Sequence, residues 1–311
     1  MSNQRKKWID VYKGMAIMTV PLAHIIPTFK YFYLFHMPLF FFLAGYTFHK
    51  DDTMSFLRKK ANRLLRPHLS YFLLLVLLGA FVPSLIGGSQ ISTSTLKNFI
   101  WDTTSLTYEF GTFWFIPVLF LSLISALLLI CKYKIGGGKI LIICYLAALV
   151  FDLVHVRLWQ GLQNVPLALF YVIMGYIWAN NKWGQSFFKE VNKYCVLILC
   201  VFLTLSVFMP SCMYLDMKHA QLGIPVISVA LSLLYIFAFM VLSKTFSERK
   251  NLYRFFYTIG AASIPIMYLH QFIHFHLAGI LPSILIVLIS IAFPVALYWV
   301  YNGMFNRSMN K

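Results

Sequence analysis

Long apolar runs, separated by short basic or Gly/Pro/Asn-rich breaks, dominate this chain of 311 residues. Hydrophobic residues make up 60% of the chain and charged residues only 11%, so a soluble domain of this length could not bury the apolar surface. A helix of about 20 apolar residues crosses the hydrocarbon core of a bilayer. The sequence therefore predicts an all-α, polytopic integral membrane protein in which residues 1–311 form one membrane-embedded domain, with no separate soluble domain. The predicted transmembrane helices, about ten in number, cover residues 9–29, 33–49, 69–87, 111–131, 139–156, 163–181, 194–210, 221–243, 258–280 and 283–303.

The distribution of Lys and Arg predicts the orientation of these helices. With an inside N-terminus, 21 of the 26 Lys and Arg residues fall on the cytoplasmic side. Basic loops stay on that side of a membrane, so we expect a multi-pass protein of the cell membrane with both termini cytoplasmic. Topology and contact with anionic membrane lipid account for most of the net charge of +17, and nucleic acid is not an expected partner.

The first apolar run carries ionisable residues on one face. Asp10, Lys13, Ile17 and His24 fall at i, i+3, i+7 and i+14. At about 100° per residue, Lys13 and His24 share one helix face about 16 Å apart. Ionisable side chains at membrane depth are costly and usually functional. This basic residue and this histidine are therefore the first candidates for a site.

A basic stretch precedes the third apolar run. Residues 55–66 read as a helix on which Lys59, Arg63 and Arg66 fall at i, i+4 and i+7. Arginine binds phosphate groups in bidentate fashion, so this stripe is a candidate phosphate site, although retention of basic loops on the inside also explains it.

Three segments resemble one known family. WIDVYKGMAIMTVPLAH (8–24), FHMPLFFFLAGYTF (35–48) and RKKANRLLRPHLSY (58–71) are similar to the N-terminal signature of the integral membrane acyltransferase-3 family, especially its fucose-4-O-acetylase-like branch. Weaker similarities lie in GTFWFIPVLF (111–120) and SIPIMYLHQFI (263–273). Members of this family transfer an acyl group, usually acetyl from acetyl-CoA, to hydroxyls of cell-surface glycans or related acceptors.

The resemblance implies roles for the candidate residues. It places the essential histidine at His24, the preceding basic residue at Lys13, and the CoA-binding arginines at Arg63 and Arg66. We therefore expect an O-acyltransferase in which the phosphates of acetyl-CoA, or of another acyl-CoA, contact Arg58, Lys59, Arg63 and Arg66. Histidine is suited to remove a hydroxyl proton near neutral pH, so His24 is the expected general base.

Lys13 could pair with Asp10, contact the donor, or do both.

Other polar and aromatic residues are candidates for the acceptor site. Packing or hydrogen bonding within the bundle explains the remaining candidates about as well as acceptor binding does. These candidates are His36, Glu109, Trp114, Asp152, His155 and His270.

The sequence leaves three matters open. The acceptor could be a glycan, a lipid-linked intermediate or a small molecule, and the acyl group could be acetyl or another; the oligomeric state is likewise not predicted. The five cysteines lack the spacing of metal ligands, so no metal is expected. The alternative function is a secondary transporter or exporter of a polar or lipid-linked sugar, which also requires ionisable residues within the membrane.

Overall fold

The computed structural model describes residues 6–49, 53–81, 92–181, 208 and 213–309. Within these residues the predicted all-α class is confirmed, because they form helices and one isolated bridge between Asp216 and Gln221 but no strand. The helices are α1 Lys7–Ile25, α2 His36–Tyr46, α3 Thr53–Phe81, α4 Thr93–Trp101, α5 Phe115–Leu127, α6 Gly137–Val154, α7 Val165–Asn180, α8 Pro225–Ser247, α9 Lys250–Ala261, α10 Ser263–Leu277 and α11 Ser283–Met309. Short 3-10 helices cover Pro27–Leu34, Thr103–Ser105, Tyr108–Phe110 and Trp159–Asn164, and a π-helical turn covers Leu128–Lys132.

Five helical segments of the described chain are long and apolar enough to cross a membrane. The α6 and α11 segments bury little of their surface inside the protein, whereas the segments that contain α5, α7 and α8 are mostly buried. An exposed apolar helix surface is stable in contact with lipid, so α6 and α11 lie at the periphery of the bundle. The five segments are Tyr108–Lys132, Gly137–Val154, Trp159–Asn180, Pro225–Ser247 and Ser283–Gly303.

The predicted count of about ten spans is not confirmed, and proline explains two of the differences. The predicted span 258–280 is broken between α9 and α10, because Pro265 has no N–H to bond the carbonyl of Ala261. The predicted span 9–29 ends as an α-helix at Ile25, because Ile26 precedes Pro27 and is extended.

Two further predicted spans differ for other reasons. In the predicted span 33–49, α2 has 11 residues and is about 16 Å long, which is half of a bilayer core. The predicted span 194–210 lies outside the described residues, except for residue 208.

Two close helix crossings hold α1 and α2 in the bundle. A methyl group at Gly14 of α1 would overlap the backbone carbonyl of Phe256 on α9. A methyl group at Gly45 of α2 would likewise overlap the carbonyl of Val172 on α7, and one at Gly175 would overlap the carbonyl of Phe42. Small residues allow membrane helices to approach this closely. The helices that carry the N-terminal candidate residues are therefore fixed by backbone contact with later parts of the chain.

Candidate active site

A cavity of about 720 Å³ runs along α1. Helix α1 contributes a single face to its wall, and the four residues that the sequence places on one face all belong to it. From Ile9 to His24 the cavity extends for about 22 Å along the helix. The α1 residues in the wall are Ile9, Asp10, Lys13, Ile17, Val20 and His24.

One end of the cavity is basic. Lys60 and Arg63 of α3 line the cavity, as does Lys13 of α1. Arg63 was predicted from the sequence, whereas Lys60 was missed. The structure places the other three predicted cationic residues on exposed surface away from the cavity wall, and these are Arg58, Lys59 and Arg66.

Three histidines meet at the other end of α1. The ring centroid of His24 lies 5.3 Å from that of His270 on α10 and 5.9 Å from that of His36 on α2. His24 and His36 line the cavity, whereas His270 is fully buried beside His24 and does not form part of the cavity wall. Residues separated by more than 240 positions in sequence therefore form one imidazole cluster.

Backbone carbonyls fix the rings of two of these histidines. Nδ1 of His36 lies 2.7 Å from the carbonyl oxygen of Phe32. Nδ1 of His270 lies 2.9 Å from the carbonyl oxygen of Met267 and 3.0 Å from that of Ile266. A carbonyl can only accept, so the hydrogen-bond network assigns a proton to Nδ1 in both rings and leaves a lone pair on Nε2 when the ring is neutral.

The third histidine has a side-chain partner. Nδ1 of His24 lies 2.7 Å from the hydroxyl of Tyr33, which belongs to the 3-10 helix that follows α1. Tyr33 also lines the cavity. Sequence reasoning missed this tyrosine, because nothing in its local sequence distinguishes it from the neighbouring aromatic residues. Nε2 is therefore the nitrogen of His24 that is left for a bound molecule.

A loop before α8 adds ionisable groups that the sequence reasoning also missed. Asp216, Lys218 and His219 all line the cavity. Nδ1 of His219 lies 2.8 Å from Oδ2 of Asp216, and the backbone N–H of Lys218 donates to Oδ1 at 3.0 Å. Burial raises the pKa of Asp216, but these contacts outweigh it and hold the pKa below its usual range. The available signal was the presence of three ionisable residues within four positions, next to a long apolar run.

The loop is attached to three other parts of the fold. Nζ of Lys218 donates to the carbonyl of Leu106 at 2.6 Å, and the side chain of Asn164 donates to the carbonyl of Lys218 at 3.0 Å. The backbone N–H of Leu222 donates to Oδ1 of Asp152 at 3.1 Å. Asp152, a predicted acceptor-site residue, thus anchors the loop and lies outside the cavity wall. Burial in this loop also lowers the pKa of Lys218 to about 8.

The other predicted acceptor residues differ in position. Trp114 is buried and lines the cavity. Glu109 is fully buried in the 3-10 helix Tyr108–Phe110 and is not part of the wall. His155 is exposed at the C-terminus of α6, with a left-handed φ of 52°, and also lies away from the cavity. Of the predicted acceptor residues, the cavity therefore brings together His36 and Trp114.

In the part of the chain that the structure describes, no group of three or more His, Cys, Asp or Glu side chains is arranged to hold a metal ion.

The chain is similar to one known family. A family model described as an acyltransferase domain, that of the acyltransferase-3 family, matches residues 6–304. Searches of curated proteins and of solved structures gave no match.

Proposed function

The chain belongs to the acyltransferase-3 family and is therefore a multi-pass membrane acyltransferase. We propose that it transfers an acyl group from acyl-CoA to a hydroxyl group, with His24 as the general base. Acetyl-CoA is the proposed donor and a cell-surface glycan is the proposed acceptor, as in the fucose-4-O-acetylase-like branch. The observation that carries this proposal is the single cavity that connects Lys60 and Arg63 with His24.

The basic end of the cavity suits the phosphate groups of the donor. Lys60 and Arg63 supply two cationic side chains in the wall, and Lys13 supplies a third. Charge-assisted hydrogen bonds from these groups would hold phosphate oxygens. A donor bound in this way would extend along α1 towards His24. In the proposed orientation this end faces the cytoplasm, where basic residues are enriched.

The histidine end suits the acceptor. The cavity wall includes Trp114, His36 and Asp216, and His36 lies beside His24. An aromatic ring with hydrogen-bonding neighbours is well suited to a sugar, which has apolar ring faces and many hydroxyls. In the proposed reaction Nε2 of His24 takes the hydroxyl proton while the acceptor oxygen bonds to the acyl carbon. The carbon–sulfur bond then breaks, and the sulfur of CoA receives the proton from His24.

Release of free thiol from acetyl-CoA tests this function. Membranes from cells that produce the protein, which retain the native acceptor, would be incubated with acetyl-CoA labelled in the acetyl group. We expect free CoA and labelled acceptor to form together, and His24→Ala to reduce the rates of both about 10²- to 10⁴-fold.

His155→Ala is the matched control, because this histidine is exposed and lies outside the cavity. A transporter of a sugar would release no thiol. Equal rates in the parent protein and His24→Ala would remove His24 from its role as base.

A further inference from the structure

The contact between Tyr33 and His24 determines which nitrogen of the histidine can react. The hydroxyl of Tyr33 lies 2.7 Å from Nδ1 of His24, and both side chains line the cavity. A neutral imidazole has one N–H and one lone pair, so the group bonded to Nδ1 decides whether Nε2 is a donor or a base. If Tyr33 donated its proton to Nδ1, Nε2 would carry a hydrogen and could not take one from an acceptor.

We propose that Tyr33 is a positioning residue that accepts the Nδ1–H of His24 and thereby holds the imidazole in the tautomer whose Nε2 is the base. This inference rests on the acyltransferase function proposed above. Tyr33 would have the role that a carboxylate has in a Ser-His-Asp triad, where the group on Nδ1 sets the tautomer and orientation of the histidine.

The surroundings of Tyr33 favour this direction of the hydrogen bond. Asp216 lines the same cavity as Tyr33 and His36, and its negative charge acts on both side chains. A hydroxyl rotor turns its hydrogen towards a nearby anion, which leaves the oxygen lone pairs of Tyr33 free to accept from His24. Asp216 is itself fixed by His219 and by the backbone of its loop. The loop before α8 would therefore act on the base through Tyr33.

The groups around His24 give this acceptor a second effect. Burial and the positive charge of Lys218 on the loop both oppose a positive charge on His24. During transfer His24 becomes an imidazolium while it carries the acceptor's proton. A hydrogen bond from Nδ1–H to Tyr33 stabilises that charged form, because hydrogen bonds to ionised groups are stronger than neutral ones. Tyr33 keeps its own proton throughout, and His24 becomes neutral again when the sulfur of CoA is protonated.

Tyr33→Phe tests the inference, with Tyr31→Phe as the matched control. Tyr31 is a buried tyrosine of the same 3-10 helix; its ring packs edge-on against Phe32 and tilted against Phe29, and it does not line the cavity. With labelled acetyl-CoA and membranes that hold the native acceptor, we expect Tyr33→Phe to lower kcat about 10- to 100-fold and to leave the KM for acetyl-CoA unchanged. The acid limb of the kcat/KM profile should move to lower pH, because the imidazolium has lost its acceptor. Tyr31→Phe should change none of these.

Nitrogen NMR of the purified protein with ¹⁵N-labelled histidine rings adds an independent readout, with His24→Asn to assign the signal. We expect a protonated Nδ1 in the parent protein and a loss of that preference in Tyr33→Phe. A parent Nδ1 without a proton would overturn the inference, as would an unchanged kcat and pH profile in a folded Tyr33→Phe. Absence of transfer by the parent protein would instead overturn the proposed function, and the inference with it.

Discussion

Two of the cationic residues on α3 line the cavity and three are exposed outside it, so alanine substitutions can separate donor binding from surface charge. We expect Arg63→Ala and Lys60→Ala to weaken binding of acyl-CoA, because both side chains belong to the cavity wall. Arg58→Ala and Arg66→Ala should have little effect, since the structure places these residues on exposed surface away from the wall. All four variants remove one positive charge from the same helix and are therefore matched in charge.

The magnitude follows from the exposure of the side chains. A hydrogen bond to a charged group contributes about 1.5–3 kcal/mol, and solvent screening of an exposed group such as Arg63 favours the lower end of that range. A loss of about 1.4 kcal/mol corresponds to roughly a tenfold increase in the dissociation constant. We therefore expect about a tenfold effect for each of the two cavity residues, and less than about twofold for each of the two controls.

Binding of CoA by titration calorimetry, and the KM for acetyl-CoA at about 0.1 M and 1 M salt, measure this difference. The Debye length falls from about 10 Å to about 3 Å over that range, so the contribution of long-range attraction should disappear while direct contacts persist. The KM for the acceptor should not change. Equal effects of all four substitutions, or an effect on the acceptor KM alone, would refute a phosphate site formed by Lys60 and Arg63.

Three further predictions concern packing, pH and sidedness. Gly45→Ala should lower the free energy of unfolding by about 3 kcal/mol or more, seen as a lower melting temperature, because the added methyl overlaps a backbone carbonyl. Gly138→Ala, where a methyl meets nothing within 4 Å, should leave the melting temperature unchanged. Burial lowers the pKa of Lys218 from 10.5 to about 8 in the folded protein, so between these pH values the unfolded protein binds more protons than the folded one. The free energy of unfolding should therefore rise as the pH increases from about 8 to 10.5, and Lys218→Met should remove that rise. In sealed vesicles of known orientation, acetyl-CoA should support transfer only when supplied to the face with the 21 basic residues; equal activity from the opposite face would exclude the proposed orientation.

Helical periodicity accounts for the part of the site that the sequence predicted. The 3.6-residue repeat places Asp10, Lys13, Ile17 and His24 on one face, and all four line the cavity. The repeat is reliable here because α1 is one continuous helix, Lys7–Ile25, and because it contains few ionisable residues. With few polar residues in an apolar helix, only one face can be the polar one.

The same reasoning selected a different face of α3, because that segment is rich in basic residues. The stripe of Lys59, Arg63 and Arg66 fits a helix as well as the observed wall of Lys60, Arg63 and Leu64 does. The apolar positions decide between them: Phe56 and Phe72 are buried, and Lys60 and Leu64 follow Phe56 at i+4 and i+8. The face that points inward is determined by the residues that pack, and the cations on that face follow it.

Contacts between different elements form the remainder of the site, and helical periodicity does not encode them. Proline ends α1 as a regular helix, and the 3-10 helix Pro27–Leu34 returns the chain within eight residues, so that Tyr33 and His36 come back to His24. Had α1 continued as an α-helix to residue 29, as the predicted span 9–29 implies, the 3-10 helix that brings Tyr33 back to His24 could not have begun at Pro27. The early break in an apolar run therefore explains why an imidazole cluster exists at the end of α1. A proline at residue 27 thus has a direct consequence for the chemistry, because it brings the hydroxyl of Tyr33 to the imidazole of His24.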